Sequence, residues 1–357
     1  MTPLPIPSMK PLKSGNKITD RYIVEGWIGE GGMQDVYLAH DDRFGRKVAL
    51  KYPKTVSAER RFFRSAKIAA QVNHPNVAKT LDYVEVGESG FLLEEYIVGQ
   101  DLKDVRTTLP VMDPYAVAHV GYHIARGVAA SHHAGVIHRD LKPSNIMVSE
   151  GFNLETIKVT DFGIAKMTEE ELALIDDETF TSSSTMAGAL PYMSPEMLKG
   201  AKFGDKPTDV WSIGAMLYEL ITGQKPFGNG LESVVRIRDA IVPELPAFAL
   251  KGQFKGIANG LYRIVKKCLV AAPEDRITAD ELVQEFSALC YPIANRVVAT
   301  ITEIRYGSQF FAHTATERIF FHADSVYGVL PSLHEKVCLV VYQGSPYPRA
   351  HPAVRMS

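Results

Sequence analysis

The chain has very little cysteine, and this excludes several classes of protein. Cys268, Cys290 and Cys338 are the only three cysteines among 357 residues. An odd number of thiols at such wide spacing argues against a disulfide framework, and also against a zinc site, whose cysteines usually come in close pairs. Free thiols are typical of the reducing cytosol. We therefore expect a cytoplasmic protein.

A long hydrophobic run is missing as well. The most apolar stretch with helical spacing, residues 210–222, contains Glu219 and is shorter than the roughly 20 residues that span a bilayer. The first 17 residues hold four prolines and three lysines but lack the apolar core of a signal peptide. We expect no membrane contact, and we interpret residues 1–20 as a flexible N-terminal arm.

Neither sign of charge predominates. With 39 basic side chains against 41 acidic ones, the formal net charge is −2, which gives no general attraction to nucleic acid. The chain is instead rich in apolar side chains, at 46% of its residues, which is enough for substantial cores. A length of 357 residues fits one large domain or two unequal ones.

The most informative motif lies in the middle of the chain. Residues 138–145 are His-Arg-Asp-Leu-Lys-Pro-Ser-Asn, and an Asp-Phe-Gly triplet begins at Asp161. Asp140 can accept a proton from an attacking hydroxyl group, and Lys142 can neutralise charge on a transferred phosphoryl group. Asn145 and Asp161 offer the hard oxygen ligands that Mg²⁺ prefers. A bare His-Arg-Asp is a weak signal, but Asp-x-Lys-x-x-Asn followed by Asp-Phe-Gly at this distance is specific.

These residues resemble the catalytic loop and the metal-binding motif of the eukaryotic-like protein kinases, which also occur in bacteria. The resemblance implies an α+β fold, with a bilobal kinase domain at residues 21–290. Its small lobe would cover about residues 21–98 and its large lobe about residues 99–290. The resemblance further implies ATP and Mg²⁺ as cofactors and a protein as the substrate.

In the small lobe, residues 28–37 resemble the kinase Gly-rich loop, whose backbone N–H groups approach phosphates because glycine has no Cβ. Gln34 takes the third glycine position, a departure that would stiffen the loop or restrict phosphate access. Lys51, in a Val-Ala-Leu-Lys run, matches the lysine that grips the α- and β-phosphates. The residues that the resemblance assigns to nucleotide binding are Ile28, Gly29, Gly31, Val36, Ala49, Lys51, Glu94, Glu95 and Ile97.

The usual partner of that lysine is missing. Related kinases place a glutamate nine residues before the position of His74, and this chain has Ser65 there. Aligning residues 95–97 with the hinge puts Glu94 at the gatekeeper position, where an unpaired buried carboxylate would be costly. We hypothesise that Glu94 replaces the missing glutamate as the partner of Lys51. The alternative is a register error of one residue that leaves Glu94 solvated.

The segment that follows the Asp-Phe-Gly triplet carries two acidic clusters and then a run of hydroxyl side chains. Such a run is either a solvated face or a phosphorylation site, in which case Arg139 would capture the phosphate and order the loop. We expect phosphorylation, because Arg139 directly precedes the catalytic aspartate as in loop-phosphorylated kinases. The candidate hydroxyls are Thr179, Thr181, Ser182, Ser183, Ser184 and Thr185.

Further markers of the large lobe are structural. The expected elements are a long helix at residues 114–133, a strand at residues 136–138 that leads into the catalytic loop, and a last helix at residues 280–289. By the same resemblance, Asp209 would brace the catalytic-loop backbone, and Glu196 would form a buried ion pair with Arg276. Ala189 replaces the threonine whose hydroxyl helps to bridge the catalytic aspartate and lysine in Ser/Thr kinases.

Residues 291–357 lie outside this pattern, because helical spacing gives way to short alternating apolar runs that predict a small all-β barrel. The expected strands are residues 297–304, 309–313, 319–321 and 337–342. Residues 306–311 and 318–323 resemble the two aromatic motifs of cold-shock domains. This implies an OB-like fold that binds single-stranded RNA or DNA. The residues it places on the stacking face are Gly307, Phe310, Phe320 and His322.

The match to the cold-shock motifs is partial, because their lysine-glycine-phenylalanine-glycine core is absent. The tail has six basic side chains against four acidic ones, a small excess for binding driven by phosphates. The alternative is that the aromatic side chains form the core of the barrel or dock on the kinase domain.

Three functions are compatible with the sequence. The first is an active protein kinase that transfers the γ-phosphate of ATP to Ser or Thr hydroxyls and phosphorylates itself, with a tail for regulation. The second is a nucleotide-binding pseudokinase scaffold, with catalysis relaxed at Gln34, Ser65 and Ala189. The third is a module in which nucleic acid on the tail changes the kinase. We favour the active kinase, because all the phosphoryl-transfer groups named above are present.

Overall fold

A computed structural model of the chain shows a small lobe, a large lobe and a C-terminal barrel. The architecture is the expected mixture of helices and sheets. The residues that the structure describes are 12–30, 34–54, 66–67, 69–87, 89–149, 151–162, 188–200, 203–230, 232–292 and 294–357.

The small lobe is built on a six-stranded sheet with the order β1-β2-β3-β4-β6-β5. Its strands are β1 (Lys17–Ile18), β2 (Tyr22–Glu30), β3 (Gln34–Asp41), β4 (Arg46–Pro53), β5 (Thr80–Val86) and β6 (Ser89–Glu95). Successive strand residues point to opposite faces. The side chains of β3 and β4 that enter the apolar core are Tyr37, Ala39, Val48 and Leu50. Those on the opposite face include Gln34, Val36, Ala49 and Lys51.

Part of the predicted flexible arm is packed against this sheet. β1 pairs with β2, the backbone N–H of Gly15 donates to the carbonyl of Val24, and Ile18 is buried. The interpretation of a flexible arm is therefore wrong for residues 12–20, because Ile18 fills a place at the edge of the core. Residues 1–11 lie outside the described residues.

The large lobe contains seven α-helices in its described part and a small three-stranded sheet with the order β7-β8-β9. The strands are β7 (Gly99–Asp101), β8 (Ile146–Ser149) and β9 (Ile157–Val159). The helices are α1 (Leu102–Thr108), α2 (Pro114–His133), α3 (Pro195–Leu198), α4 (Lys206–Thr222), α5 (Glu232–Asp239), α6 (Lys255–Cys268) and α7 (Ala279–Ser287). No helix in the described part is both long and apolar enough to cross a bilayer.

The predicted long helix is confirmed with its expected bounds as α2. Asp113 caps its N-terminus by accepting hydrogen bonds from the backbone N–H groups of Tyr115 and Ala116, and Pro114 occupies the first turn, where no N–H is needed. The predicted last helix corresponds to α7, whose capping box joins Thr278 and Glu281.

The strand predicted at residues 136–138 is wrong. The backbone there pairs with a side chain instead of a neighbouring strand, because the Asp209 carboxylate accepts hydrogen bonds from the N–H groups of His138 and Arg139, at 2.9 and 2.7 Å. Asp209 is fully buried on α4 and also bonds the imidazole of His132 at 2.8 Å. The segment is therefore held as a loop by α4.

The C-terminal segment forms a closed five-stranded barrel. Its strands are β10 (Arg296–Arg305), β11 (Gln309–His313), β12 (Arg318–His322), β14 (Lys336–Tyr342) and β15 (Arg349–Arg355), with the short β13 (Val326–Tyr327) beside β15. The four predicted strands are confirmed as β10, β11, β12 and β14. A parallel pair between Phe320 and Arg349 joins β12 to β15 and closes the barrel. This arrangement is compatible with a small OB-like domain.

The barrel packs on the large lobe through a continuous apolar core. Tyr327 inserts between Phe248 and Phe254, with ring centroids 5.2 and 5.1 Å away, and its hydroxyl donates to the Ile221 carbonyl at 2.9 Å. Four barrel residues belong to the same apolar core as the large-lobe helices: Tyr327, Cys338, Val354 and Met356. The barrel is therefore an extension of the large lobe.

A buried ion pair lies in this interface. Arg296 at the start of β10 donates to Asp113 at 2.5 Å, and the two side chains are 7% and 0% exposed. Asp113 is the residue that caps α2. The helix that leads to the catalytic loop is thus tied at its N-terminus to the barrel.

Candidate active site

Lys51 lies between two carboxylates on the face of the small-lobe sheet opposite its core. Its ammonium nitrogen is 2.5 Å from Glu94 Oε2 and 2.5 Å from Asp161 Oδ1. Glu94 reaches it from β6, which pairs with β4 so that Glu94 lies opposite Ala49. Glu94 is only 5% exposed, so the alternative of a solvated carboxylate is excluded.

The protonation of this cluster follows from burial and charge. Burial alone would lower the pKa of Lys51, but Asp161 and Glu94 raise it above its ordinary value, so the ammonium stays charged. Burial raises the pKa of Glu94 in spite of Lys51. Burial alone would also raise the pKa of Asp161, but Lys51 and a hydrogen bond from Gln34 hold that pKa below its usual range. Lys51 and Gln34 therefore favour the ionised form of Asp161.

Asp161 is held in an uncommon backbone conformation. Its φ of +61° lies in the left-handed region, which costs a non-glycine residue on the order of 1–3 kcal/mol and is found mostly at functional sites. The next side chain, Phe162, is buried against the His138 ring at 4.7 Å. Packing of Phe162 thus fixes the direction in which the Asp161 carboxylate points.

The catalytic loop brings its predicted residues together. Lys142 Nζ lies 2.6 Å from Asp140 Oδ2, and the Asn145 amide donates to the Asp140 carbonyl at 2.8 Å. A short 3-10 helix, Pro143–Asn145, carries the chain between these residues. The direct contact between Lys142 and Asp140 forms although Ala189 offers no bridging hydroxyl.

The remaining residues predicted to bind the nucleotide differ in how deeply they are buried in the cleft. Val36 and Ala49 are half-buried on the Lys51 face, and Ile28 is exposed. The space that a Cβ of Gly29 would occupy is open. At the hinge, Glu95 accepts a hydrogen bond from Lys158 at 2.9 Å, and Ile97 is half-buried. The predicted site residues outside the described part are Gly31 and the hydroxyl run Thr179, Thr181, Ser182, Ser183, Ser184 and Thr185.

The donor set fits a magnesium ion that arrives with a nucleotide. Asn145 and Asp161 supply an amide and a carboxylate, and Mg²⁺ is commonly bound through one or two such groups together with substrate phosphates. Among the described residues there is no group of three or more His, Cys, Asp or Glu side chains that would hold a metal alone. A buried amide oxygen of Gln34, next to Asp161, has no hydrogen-bond partner in this region. Oxygen ligands are thus available beside the phosphates' expected position.

The lower part of the large lobe contains the predicted ion pair. Arg276 donates to both Glu196 oxygens, at 2.7 and 3.1 Å, and both residues are buried. Burial acts to raise the pKa of Glu196, but the hydrogen bonds from Arg276 hold it below the usual range. The pair therefore stays charged and anchors the end of the segment that follows Asp161.

The sequence pattern of the protein kinase domain family matches residues 22–286. The chain belongs to the protein kinase family. The described geometry agrees with that assignment, since the matched residues include both lobes and the cleft between them.

Several bacterial relatives of this kinase are named serine/threonine-protein kinases. PknB of Mycobacterium leprae is 34% identical over 278 residues, which cover 74% of this chain and 42% of that protein. Pkn3 of Myxococcus xanthus is 34% identical, with coverages of 75% and 49%, and PrkC of Bacillus subtilis is 34% identical, with coverages of 62% and 33%. The chain thus spans less than half the length of these relatives.

The predicted nucleic-acid face of the barrel needs correction. Phe310 is buried in the barrel core and stacks on Phe321 at 5.3 Å, so it cannot offer a face to a base. Its neighbour Phe311 lies on the outer side, opposite Phe320. Strand alternation could have separated the two phenylalanines, because adjacent residues point to opposite faces.

The outer aromatic face is already covered. The Arg318 guanidinium lies 4.4 Å from the centre of the Phe311 ring, and Arg305 lies 4.8 Å from it. Phe311 is consequently only 4% exposed. Phe320 is half-buried and His322 is exposed. The position on Phe311 where a base would stack is filled by arginine.

Proposed function

We propose that this chain is an ATP-dependent protein kinase that transfers the γ-phosphate to Ser or Thr hydroxyls of proteins in the cytosol. The observation that carries the proposal is the Asp140–Lys142 contact of 2.6 Å, with Asn145 bonded to the same aspartate. The names of the relatives support Ser and Thr as acceptors. The described cysteines are free thiols, which suits the cytosol.

Residues of the two lobes have different roles in the proposed reaction. Asp140 accepts the proton of the attacking hydroxyl, and Lys142 beside it stabilises negative charge on the transferred group. Lys51 binds the nucleotide phosphates from the small lobe. Asn145 and Asp161 would hold Mg²⁺, which supplies positive charge between the phosphates when bound. Catalysis then depends mainly on positioning and charge stabilisation.

Glu94 acts as a positioning residue in this proposal. Its 2.5 Å contact orients the Lys51 ammonium from a neighbouring strand, whereas related kinases use a glutamate on a mobile helix. Because β4 and β6 belong to one sheet, the pair is assembled without any helix movement. We therefore propose that helix position does not gate nucleotide binding in this kinase.

Phosphorylation of the hydroxyl run at residues 179–185 is a further part of the proposal. Arg139 supports it, because among the described residues its guanidinium donates a single hydrogen bond, of 3.1 Å, to the Gly204 carbonyl. Five N–H donors are available on a guanidinium. Arg139 thus has further N–H groups that can donate to a phosphate in the segment that follows Asp161.

The proposal is tested by incubating the full chain with Mg²⁺ and γ-labelled ATP and a general protein substrate, beside an Asp140→Asn variant. We expect label transfer to protein by the wild type and a loss of about 10²–10⁴-fold in the variant, because the proton acceptor is missing. Nucleotide affinity should be equal in both proteins. Mass spectrometry of residues 179–185 then locates any phosphate.

A pseudokinase scaffold is the second candidate, favoured by Ala189 and by the Gln34 side chain that reaches Asp161. It predicts nucleotide binding without label transfer in the wild type. Measurable and equal label transfer by the wild type and Asp140→Asn would contradict the proton-accepting role proposed for Asp140.

A further inference from the structure

Gln34 places a side-chain amide where related kinases have a glycine without a side chain. It begins β3 and lies on the same face as Val36, because the two are separated by one residue. Its amide nitrogen is 2.9 Å from Asp161 Oδ1, and the residue is 5% exposed. The side chain therefore reaches from the nucleotide-covering loop to the proposed metal ligand.

The amide oxygen of Gln34 is buried and has no hydrogen-bond partner among the described residues. A buried polar atom without a partner is unusual, and an amide oxygen can be satisfied only by a donor or a cation. The two carboxylate oxygens of Asp161 also differ in how fully they are bonded. Its Oδ1 contacts Lys51 and Gln34, while among the described residues its Oδ2 accepts one long hydrogen bond, of 3.5 Å, from the Thr160 hydroxyl.

We infer that Gln34 contributes its amide oxygen to the divalent metal that accompanies the nucleotide, beside Asp161. Mg²⁺ selects oxygen ligands at about 2.0–2.1 Å in an octahedron, so neighbouring ligand oxygens are about 2.9 Å apart. The Gln34 amide nitrogen lies 2.9 Å from Asp161 Oδ1, so the amide oxygen has the ligand spacing only after the amide turns over. A half-turn of the amide exchanges its nitrogen for its oxygen at the same place.

This inference rests on the proposed function, because the metal enters with ATP. The alternative is a purely structural role, in which the Gln34 N–H groups only hold the Asp161 carboxylate in place. Gln34→Glu keeps oxygen ligands but loses the N–H donors. Gln34→Met has a similar length and loses both. If Gln34 is a metal ligand, the two variants should differ in metal affinity. If Gln34 only holds Asp161 through its N–H groups, both variants should lose metal affinity to the same extent.

The experiment titrates Mn²⁺, as a paramagnetic substitute for Mg²⁺, into the full chain saturated with a non-hydrolysable ATP analogue, and measures free Mn²⁺ by electron paramagnetic resonance. We expect Gln34→Met to weaken Mn²⁺ binding by about tenfold or more, in the range found when metal-site groups are removed. Gln34→Glu should bind Mn²⁺ at least as tightly as the wild type. Binding of the analogue in the presence of EDTA should be equal in the wild type and Gln34→Met, since neither side chain is charged.

Mn²⁺ affinity of Gln34→Met within about twofold of the wild type would overturn the inference. So would equal weakening in Gln34→Met and Gln34→Glu, or a loss of analogue binding in EDTA that matches the loss of Mn²⁺ binding. A wild type that takes up no Mn²⁺ with the analogue would refute the proposed function and the inference together. Wild-type uptake with unaffected variants would refute the inference alone.

Discussion

At the scale of single residues, Glu94 is expected to affect ATP affinity from outside the catalytic loop. Glu94→Met leaves Lys51 with Asp161 as its carboxylate partner, and breaking one side of a buried ion pair costs about 3–5 kcal/mol. Lys51 would then be drawn toward Asp161 and away from the phosphates. We expect Glu94→Gln and Glu94→Met to weaken ATP binding by about tenfold or more, measured by calorimetry.

The matched control for this prediction is Glu85→Gln, on the exposed part of β5 in the same sheet. It should leave ATP affinity unchanged. Unaltered affinity in both Glu94 variants would contradict the positioning role.

Much of the site was predictable at this scale, because motifs are local. Asp140, Lys142 and Asn145 lie within six residues, and spacing alone brought them together. The Lys51–Glu94 contact was predictable only as a hypothesis, since it depends on strand register. The Gln34–Asp161 contact was not foreseen, because it joins residues from different lobes that share no sequence pattern.

At the scale of secondary-structure elements, the hairpin of β2 and β3 is joined by an ion pair with a pH-dependent contribution. Arg21 donates to both oxygens of Asp41, at 2.7 and 2.8 Å, and these bonds lower the pKa of Asp41 to about 2 from 3.8. A lowered pKa means that the contribution is full above the unfolded value and is lost as pH falls toward the folded one.

Asp41→Asn should therefore destabilise the small lobe by on the order of 2 kcal/mol near pH 7. The difference from the wild type should shrink as the pH falls from about 5 to 2. Urea unfolding at several pH values measures it. Asp42→Asn, at an exposed neighbouring position, serves as the control and should show no such trend. A difference that persists at pH 2 would contradict the assignment.

Element types were largely predictable, and the errors have physical causes. The barrel strands follow from apolar alternation, yet choosing Phe310 instead of Phe311 reversed the two faces of β11. The strand expected at residues 136–138 failed because Asp209, about 70 positions later, supplies the hydrogen-bond acceptor. Periodicity describes one segment, whereas both errors depend on what packs against it.

At the scale of the whole molecule, the barrel and large lobe should unfold as coupled parts. Arg296→Met leaves Asp113 buried without a cation and should destabilise the protein by about 3–5 kcal/mol. Asn caps helices about as well as Asp, so Asp113→Asn preserves the start of α2 while removing the charge. The double variant should recover much of the loss, measured by thermal unfolding of the full chain.

Strict additivity of the two substitutions would contradict this coupling, because side chains in direct contact give non-additive effects. The Arg296–Asp113 pair could not be predicted from the sequence. Its partners are separated by 183 positions. From the sequence around it, Asp113 is explained as a helix cap and Arg296 as the start of a strand, so neither residue indicates the other.

The Lys51–Glu94 pair also constrains the route by which such a kinase can arise from relatives with a helix glutamate. Losing the helix glutamate first would remove a carboxylate from a buried lysine and weaken ATP binding at once. Gaining Glu94 first adds a carboxylate to a lysine that is already charged, and this makes the helix glutamate dispensable. We therefore expect the gatekeeper substitution to precede the loss of the helix glutamate, with an intermediate stage in which both carboxylates face the lysine.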